Sequence, residues 1–164
     1  MLARDWQREF SRLLDAHGAT LMSMLRRLTR NPHDAEDLFQ ETAARVWRSL
    51  PGRPWLSHPR AWVMTIGYRA FADWRKKRED GPDLLPETAD GRAMDPAQRM
   101  EASEAAGRVL SAVSALPREV REVVVLHYLT GLSLRQTAQA MEIPSGTVRS
   151  RLNSALNQLR CSLQ

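Results

Sequence analysis

Between the two halves of the chain lies EDGPDLLPETADGRAMDPAQRMEASE (residues 79–104), with Gly81-Pro82, Pro86, Gly91 and Pro96, eight acidic residues and only two basic ones. Proline removes amide donors and glycine multiplies accessible conformations. With so few large apolar side chains, this stretch has nothing to fold around before Asp95. Residues 79–95 therefore read as a flexible acidic linker. Asp95-Pro96 then has the chemistry of a helix start, N-cap followed by first helical position, for a helix running to about Ser114. The 164 residues are thereby divided into two small modules, 1–78 and 105–164, and 79–104 holds the linker and the start of the next helix.

The division reorganises the charge. A net +5 becomes +7 over residues 1–78, −6 over 79–104 and +4 over 105–164. Two basic modules flanking an acidic connector suit a polyanionic partner. Cys161 is the only cysteine, so no internal disulfide is available, which fits a reducing compartment. Arg4, Asp5 and Arg8 interrupt the start where a signal peptide would be apolar, and no run approaches a membrane span. The expectation is a soluble cytoplasmic protein that makes no use of a membrane.

The first module reads as helices throughout. Trp6, Phe10, Leu13 and Leu14 form one apolar stripe and Leu21, Met24, Leu25 and Leu28 another, with His17-Gly18 as a break between them. Asn31-Pro32 starts a helix to Ser49, in which Ala35, Leu38, Phe39, Thr42, Val46 and Trp47 can face a core. Asp34, Asp37, Glu41, Arg45 and Arg48 alternate in sign outside, either as a solvated face with pairs such as Glu41 with Arg45 or as a docking surface. After Pro51, Gly52 and Pro54, His58-Pro59 starts another helix that ends in Arg75-Lys76-Lys77-Arg78. Four of the five tryptophans fall between Trp47 and Arg78. Rings interleaved with cations suit single-stranded nucleic acid, since bases stack while cations follow phosphates. Trp62, Ile66, Ala70 and Trp74 recur at helical spacing and are assigned to the core. Trp55, in a loop with Arg53 between prolines, is then the exposed ring, with Arg69, Arg75, Lys76, Lys77 and Arg78 as contacts.

In the second module, Leu116-Pro117 opens a helix with Val120, Val123, Val124 and Leu126 to Leu129 on its apolar side, closed by Thr130-Gly131. Ser133 caps a short helix to about Ala140, Met141 to Pro144 form a tight connection, and Ser145 caps a last helix to about Arg160. This is the spacing of a helix-turn-helix. Leu134, Ala138, Ile143, Val148, Leu152, Leu156 and Leu159 fall at inward positions. A last helix in the major groove would aim Ser145, Thr147, Arg149, Ser150 and Asn153 at DNA. Arg149 can pair with guanine and Asn153 with adenine, while Thr147 and the amides at 146–148 suit a phosphate.

With these residues in view, DAEDLFQE (34–41), PRAWVMTI (59–66), LP (116–117) and GLSLRQTAQAMEIPSGTVRSRL (131–152) resemble regions 2 and 4 of bacterial sigma-70-family initiation factors, in the compact extracytoplasmic-function (ECF) group. The resemblance implies an all-α protein of two helical domains that binds core RNA polymerase and promoter DNA, with an anti-sigma factor as regulator. By motif position, Asp34, Asp37, Gln40 and Glu41 would grip the polymerase clamp. The stretch from Arg53 to Lys77 would recognise and melt the minus-ten element and hold a flipped base. Arg149, Ser150 and Asn153 would read the minus-thirty-five element, and the acidic linker would occupy the RNA exit channel. The chain departs from the family pattern in carrying Arg69 where asparagine is frequent, Glu142 where the turn usually has glycine, and Arg135-Gln136-Thr137-Ala138 without the usual acidic residue.

An enzyme is not expected. No glycine-rich phosphate loop or Cys/His metal spacing occurs, and His33-x-x-Glu36 is only a reversed fragment of a di-iron motif; neither cofactor nor metal is expected. The competing binding function is a stand-alone helix-turn-helix regulator that grips a palindromic duplex as a dimer.

Overall fold

The structure, a computed structural model, describes residues 3–53, 56–80 and 104–164, and among them there are helices and turns but no strand. Trp55, the linker from residue 81 and the Asp95-Pro96 helix start lie outside the described residues. The chain divides into two units, meeting between Asp80 and Gly81.

In the first unit α1 (Ala3–Thr29) runs unbroken through His17-Gly18, where the sequence suggested a break. Gly18 is buried, and a Cβ on it would meet the Phe39 ring at 3.6 Å, an ordinary contact, so the position packs against a neighbouring helix and does not mark a turn. Leu13, Leu21, Met24, Leu25 and Leu28 are buried along one side, each contributing roughly 1.5–3 kcal/mol if fully withdrawn from water. Arg30 adopts a left-handed conformation (φ 58°) and ends α1. Asn31 then caps α2 (Pro32–Ser49), its side chain accepting from the amides of His33 (2.9 Å) and Asp34 (3.2 Å). A single 3₁₀ turn (Leu50–Gly52) follows, and α3 (Pro59–Glu79) starts at the expected proline.

The three helices pack against one another around Leu38, Thr42, Val46, Leu50, Val63, Met64 and Phe71. On α3 the buried set is Val63, Met64, Gly67, Tyr68, Ala70 and Phe71. Of the four residues assigned to the core by spacing, only Ala70 is buried; Trp62, Ile66 and Trp74 are half-buried. The reason is that α3 faces both α1 and α2, so its inward arc is centred on Gly67. A Cβ there would stand 2.5 Å from Leu21 Cδ1 and 3.1 Å from Met24 Cε. Phe39 is half-buried. Trp47 is exposed, its ring edge-on to Phe10 at 5.3 Å.

The second unit comprises α4 (Glu104–Ser114), α5 (Arg118–Val124), a π-helical turn (Val125–Leu129), α6 (Leu134–Met141) and α7 (Ser145–Leu163). Val113, Leu116, Val123, Val124, Ala138, Val148, Leu152 and Ala155 form its core, with Leu134, Ile143 and Leu159 packed against it. Leu156 is not inward as expected but 37% exposed. The π turn widens the helix so that Val125 and Leu126 are buried while Tyr128 points out. Gly131 (φ 74°) turns the chain toward α6.

Candidate nucleic-acid interface

The helix-turn-helix is assembled from local chemistry. Ser133 and Gln136 form a reciprocal capping box, the Ser133 hydroxyl accepting from the Gln136 amide (3.1 Å) and the Gln136 side chain accepting from the Ser133 amide (2.9 Å). At the other end of α6, Glu142 is left-handed (φ 56°, ψ 42°), and the amide of Ile143 donates to the Ala138 carbonyl at 3.1 Å. Buried Ala138 lets α6 approach α7 closely.

The start of α7 differs from the expectation. Pro144, extended at φ −62° and ψ 145°, is the cap residue, and Ser145 is the first helical residue with no side-chain capping bond. Proline's fixed φ already suits this position, and its carbonyl accepts from the amides of Thr147 (3.0 Å) and Val148 (3.2 Å). Of the amides at 146–148, only that of Gly146 lies outside this closure, so the opening for a phosphate is narrower than the sequence suggested.

Val148, Leu152 and Ala155 bury one side of α7. Ser145, Arg149, Ser150 and Asn153 are exposed, and Thr147 is half-buried. Asn157 and Arg160 prolong the exposed stripe by two turns at helical spacing, a continuation the sequence reading left out. Arg149 and Arg151 have different surroundings: Arg151 lies 3.5 Å from Glu119 of α5, whereas Arg149 is on the solvent side.

In the first unit Asp37, Gln40 and Glu41 are exposed along α2, and Asp34 is half-buried beside its N-terminus. Glu41 pairs with Arg45 at 2.8 Å, and the hydrogen bond from Arg45 holds its carboxyl below the usual range. Arg45 also reaches Asp73 of α3 at 2.9 Å, and Asp34 lies 3.6 Å from Arg78. The acidic face of α2 and the basic end of α3 thus adjoin and partly neutralise each other.

On α3, Arg69, Lys76 and Lys77 are exposed. Arg75 lies over the Phe71 ring at 5.4 Å and Arg78 over Trp74 at 4.8 Å, so part of the basic cluster is held against rings. Arg53 is exposed with its guanidinium 5.8 Å from the Trp62 ring. Half-buried Trp62, followed at helical spacing by Ile66 and Arg69, makes a ring available on this side. Its assignment to the core hid it, because periodicity alone does not distinguish the edge of a buried arc from its centre.

Burial and the charge of Arg60 hold His17 below the usual histidine range. Among the described residues no His, Cys, Asp or Glu cluster could hold a metal, and no helix is long and apolar enough to cross a membrane.

Residues 13–80 match Sigma-70 region 2 and residues 106–159 match Sigma-70, region 4. The chain is 33% identical over 153 residues to the ECF RNA polymerase sigma factor SigE of Mycolicibacterium smegmatis, covering 90% of this chain and 59% of SigE. It is 32% identical over 155 residues to the ECF RNA polymerase sigma factor SigL of Mycobacterium tuberculosis, covering 93% of this chain and 87% of SigL. Among solved structures, the sigma factor RpoE in complex with the anti-sigma factor NepR, from Bartonella quintana, is similar with a TM-score of 0.76 and 27% identity, covering 98% of each chain. A helix-turn-helix with an exposed polar stripe on its last helix, a three-helix unit with adjoining acidic and basic faces, and a relative matched over most of both lengths lead to one assignment: the chain belongs to the sigma-70 family of RNA polymerase sigma factors, in the extracytoplasmic-function group.

Proposed function

We propose that this chain, as an ECF sigma factor, binds core RNA polymerase, directs it to specific promoters and helps to open the DNA, each unit with its own task. Residues 1–78 dock on the polymerase through Asp34, Asp37, Gln40 and Glu41. They engage the minus-ten element through Arg53, Trp55, Arg69, Arg75, Lys76 and Lys77. Residues 105–164 read the minus-thirty-five element through Ser145, Thr147, Arg149, Ser150 and Asn153. The observation that carries the reading is the division of α7 into a buried side of Val148, Leu152 and Ala155 and an exposed side of Arg149, Ser150 and Asn153. A helix so divided can pack on its own unit and still enter a major groove.

The chain itself performs no catalysis; the polymerase supplies the chemistry, and this subunit supplies positioning and strand separation in the cytoplasm. Residues 79–104 act as the acidic linker and helix start between the two tasks. An anti-sigma factor regulates it by covering these surfaces. Support comes from similar sigma factors solved with anti-sigma partners, RpoE with NepR and CnrH with the cytosolic domain of CnrY. A stand-alone dimeric regulator is not favoured, since it leaves residues 13–80, the Sigma-70 region 2 match, without a task.

The test is reconstitution with core polymerase on a promoter template, reading run-off transcripts and the reactivity of unpaired thymines. The expected result is transcription and opening that require both components. Tight binding of a palindromic duplex by the chain alone, with no association with core polymerase, would overturn the reading.

A further inference from the structure

Arg26 and Arg27 stand in the last turn of α1 and Arg30 just beyond it, and the sequence has no acidic residue between Asp15 and Asp34. All three are half-buried. Among the described residues neither Arg27 nor Arg30 has an acceptor for its guanidinium, and the Nε of Arg27 is shielded from solvent without a hydrogen bond. Burial lowers the Arg27 pKa from its ordinary value.

Arg30 adds a second, independent observation. It stands at φ 58°, a conformation that crowds any β-carbon and that glycine or asparagine would adopt more easily. The corner is rigid: the Thr29 hydroxyl donates to the Leu25 carbonyl (2.8 Å) and accepts from the Asn31 amide (3.3 Å), and the Arg30 amide donates to the Arg26 carbonyl (2.9 Å). An arginine placed in a conformation unfavourable to it, on a hydrogen-bonded corner, with no partner for its charge among the described residues, is accounted for by a ligand that the charge meets.

The corner adjoins the basic end of α3, because Asp34, whose amide donates to the Asn31 cap, lies 3.6 Å from Arg78. Among the described residues the exposed large apolar side chains are Trp47, Val109, Tyr128, Leu156 and Leu163, none of them in this last turn. A protein partner would want an apolar centre, and a single strand would want open rings for stacking. A set of cations without either fits the phosphates of a duplex.

We propose that Arg27 and Arg30 form a phosphate-binding corner that extends the basic end of α3, gripping the backbone of double-stranded DNA next to the melted element. The contact is independent of base sequence and adds to affinity alone. It rests on the reading of this chain as a promoter-binding subunit.

The experiment uses the full chain assembled with core polymerase, titrated with a labelled promoter duplex across a range of salt. Arg30→Gly removes the charge while relieving the backbone, so its melting temperature should rise by about 2–4 °C while DNA binding weakens several-fold. Each lost phosphate contact should reduce the slope of log affinity against log salt by about 0.9, so Arg30→Gly and Arg27→Ala should each do so. Arg27→Lys should restore the slope, and affinity for core polymerase should not change. An unaltered affinity and slope in both Arg30→Gly and Arg27→Ala overturns the proposal, as does a loss confined to core binding, which would mark an acidic protein surface as the ligand. If the wild-type assembly forms no promoter complex, the functional reading itself has failed; if it forms one that the variants leave unchanged, only the corner has.

Discussion

The guanidinium of Arg45 on α2 stands 2.9 Å from the carboxylate of Asp73 on α3, while its other edge holds Glu41 one turn back at 2.8 Å. This cation ties the second and third helices of the first unit together beside the proposed polymerase-docking face. The pair Glu41 with Arg45 was visible as an i,i+4 spacing, but the reach to Asp73, twenty-eight residues away, was not.

Arg45→Ala should cost no more than about 1 kcal/mol, because all three side chains are partly exposed and screened by water. Its signature is in pH. Glu41 has a folded pKa held below its usual value, so its contribution is present above the unfolded carboxylate pKa and is lost as pH falls through the folded one. Urea denaturation from neutral pH down through the carboxylate range should show a steeper loss in the wild type than in Arg45→Ala; parallel curves would count against the bridge.

Gly67→Ala tests the three-helix crossing. Alanine favours helix, yet its Cβ would lie 2.5 Å from Leu21 Cδ1 in a region where Met24 and Thr42 also close in. The expected net cost is about 1–3 kcal/mol. Amide exchange should report the loss throughout residues 3–80 and leave residues 104–164 unaffected.

Glu142→Gly should stabilise the second unit by up to about 1 kcal/mol, since residue 142 turns the chain between α6 and α7 at φ 56°. A denaturation midpoint that rises without a change in slope is the expected observation.

Arg149→Ala and Arg151→Ala should separate recognition from packing. The first removes an exposed side chain and should reduce minus-thirty-five discrimination by about 1–3 kcal/mol, with stability and core binding intact. The second breaks the pair with Glu119 and should lower stability by at most about 1 kcal/mol while promoter preference is retained. Competition binding with base-substituted promoters, beside thermal melts, distinguishes the two.

Helix starts were legible because they depend on neighbours in sequence: Asn31 before Pro32, His58 before Pro59, and Ser133 before Leu134 all open helices where expected. The opening of α7 was placed one residue late as a cap, because Ser145 has the preferred side chain while Pro144 has the geometry. Residues Arg149, Ser150 and Asn153 could be assigned to an exposed face since Val148 and Leu152 recur at helical spacing as the buried side and leave the residues between them outward. Trp62 could not, because α3 contacts two helices at once and the width of its buried arc is set by them.

The sequence by itself determined the helical class, the two-part division and most helix ends, since capping, proline geometry and apolar periodicity act within a few residues. Only the tertiary structure decided that Gly67 and not Trp62 faces the core, that Arg45 bridges α2 to α3, and that Arg151 is held by Glu119 while Arg149 is presented. Those outcomes depend on which residues distant in sequence share a surface, and a helical repeat is the same whichever neighbour covers it.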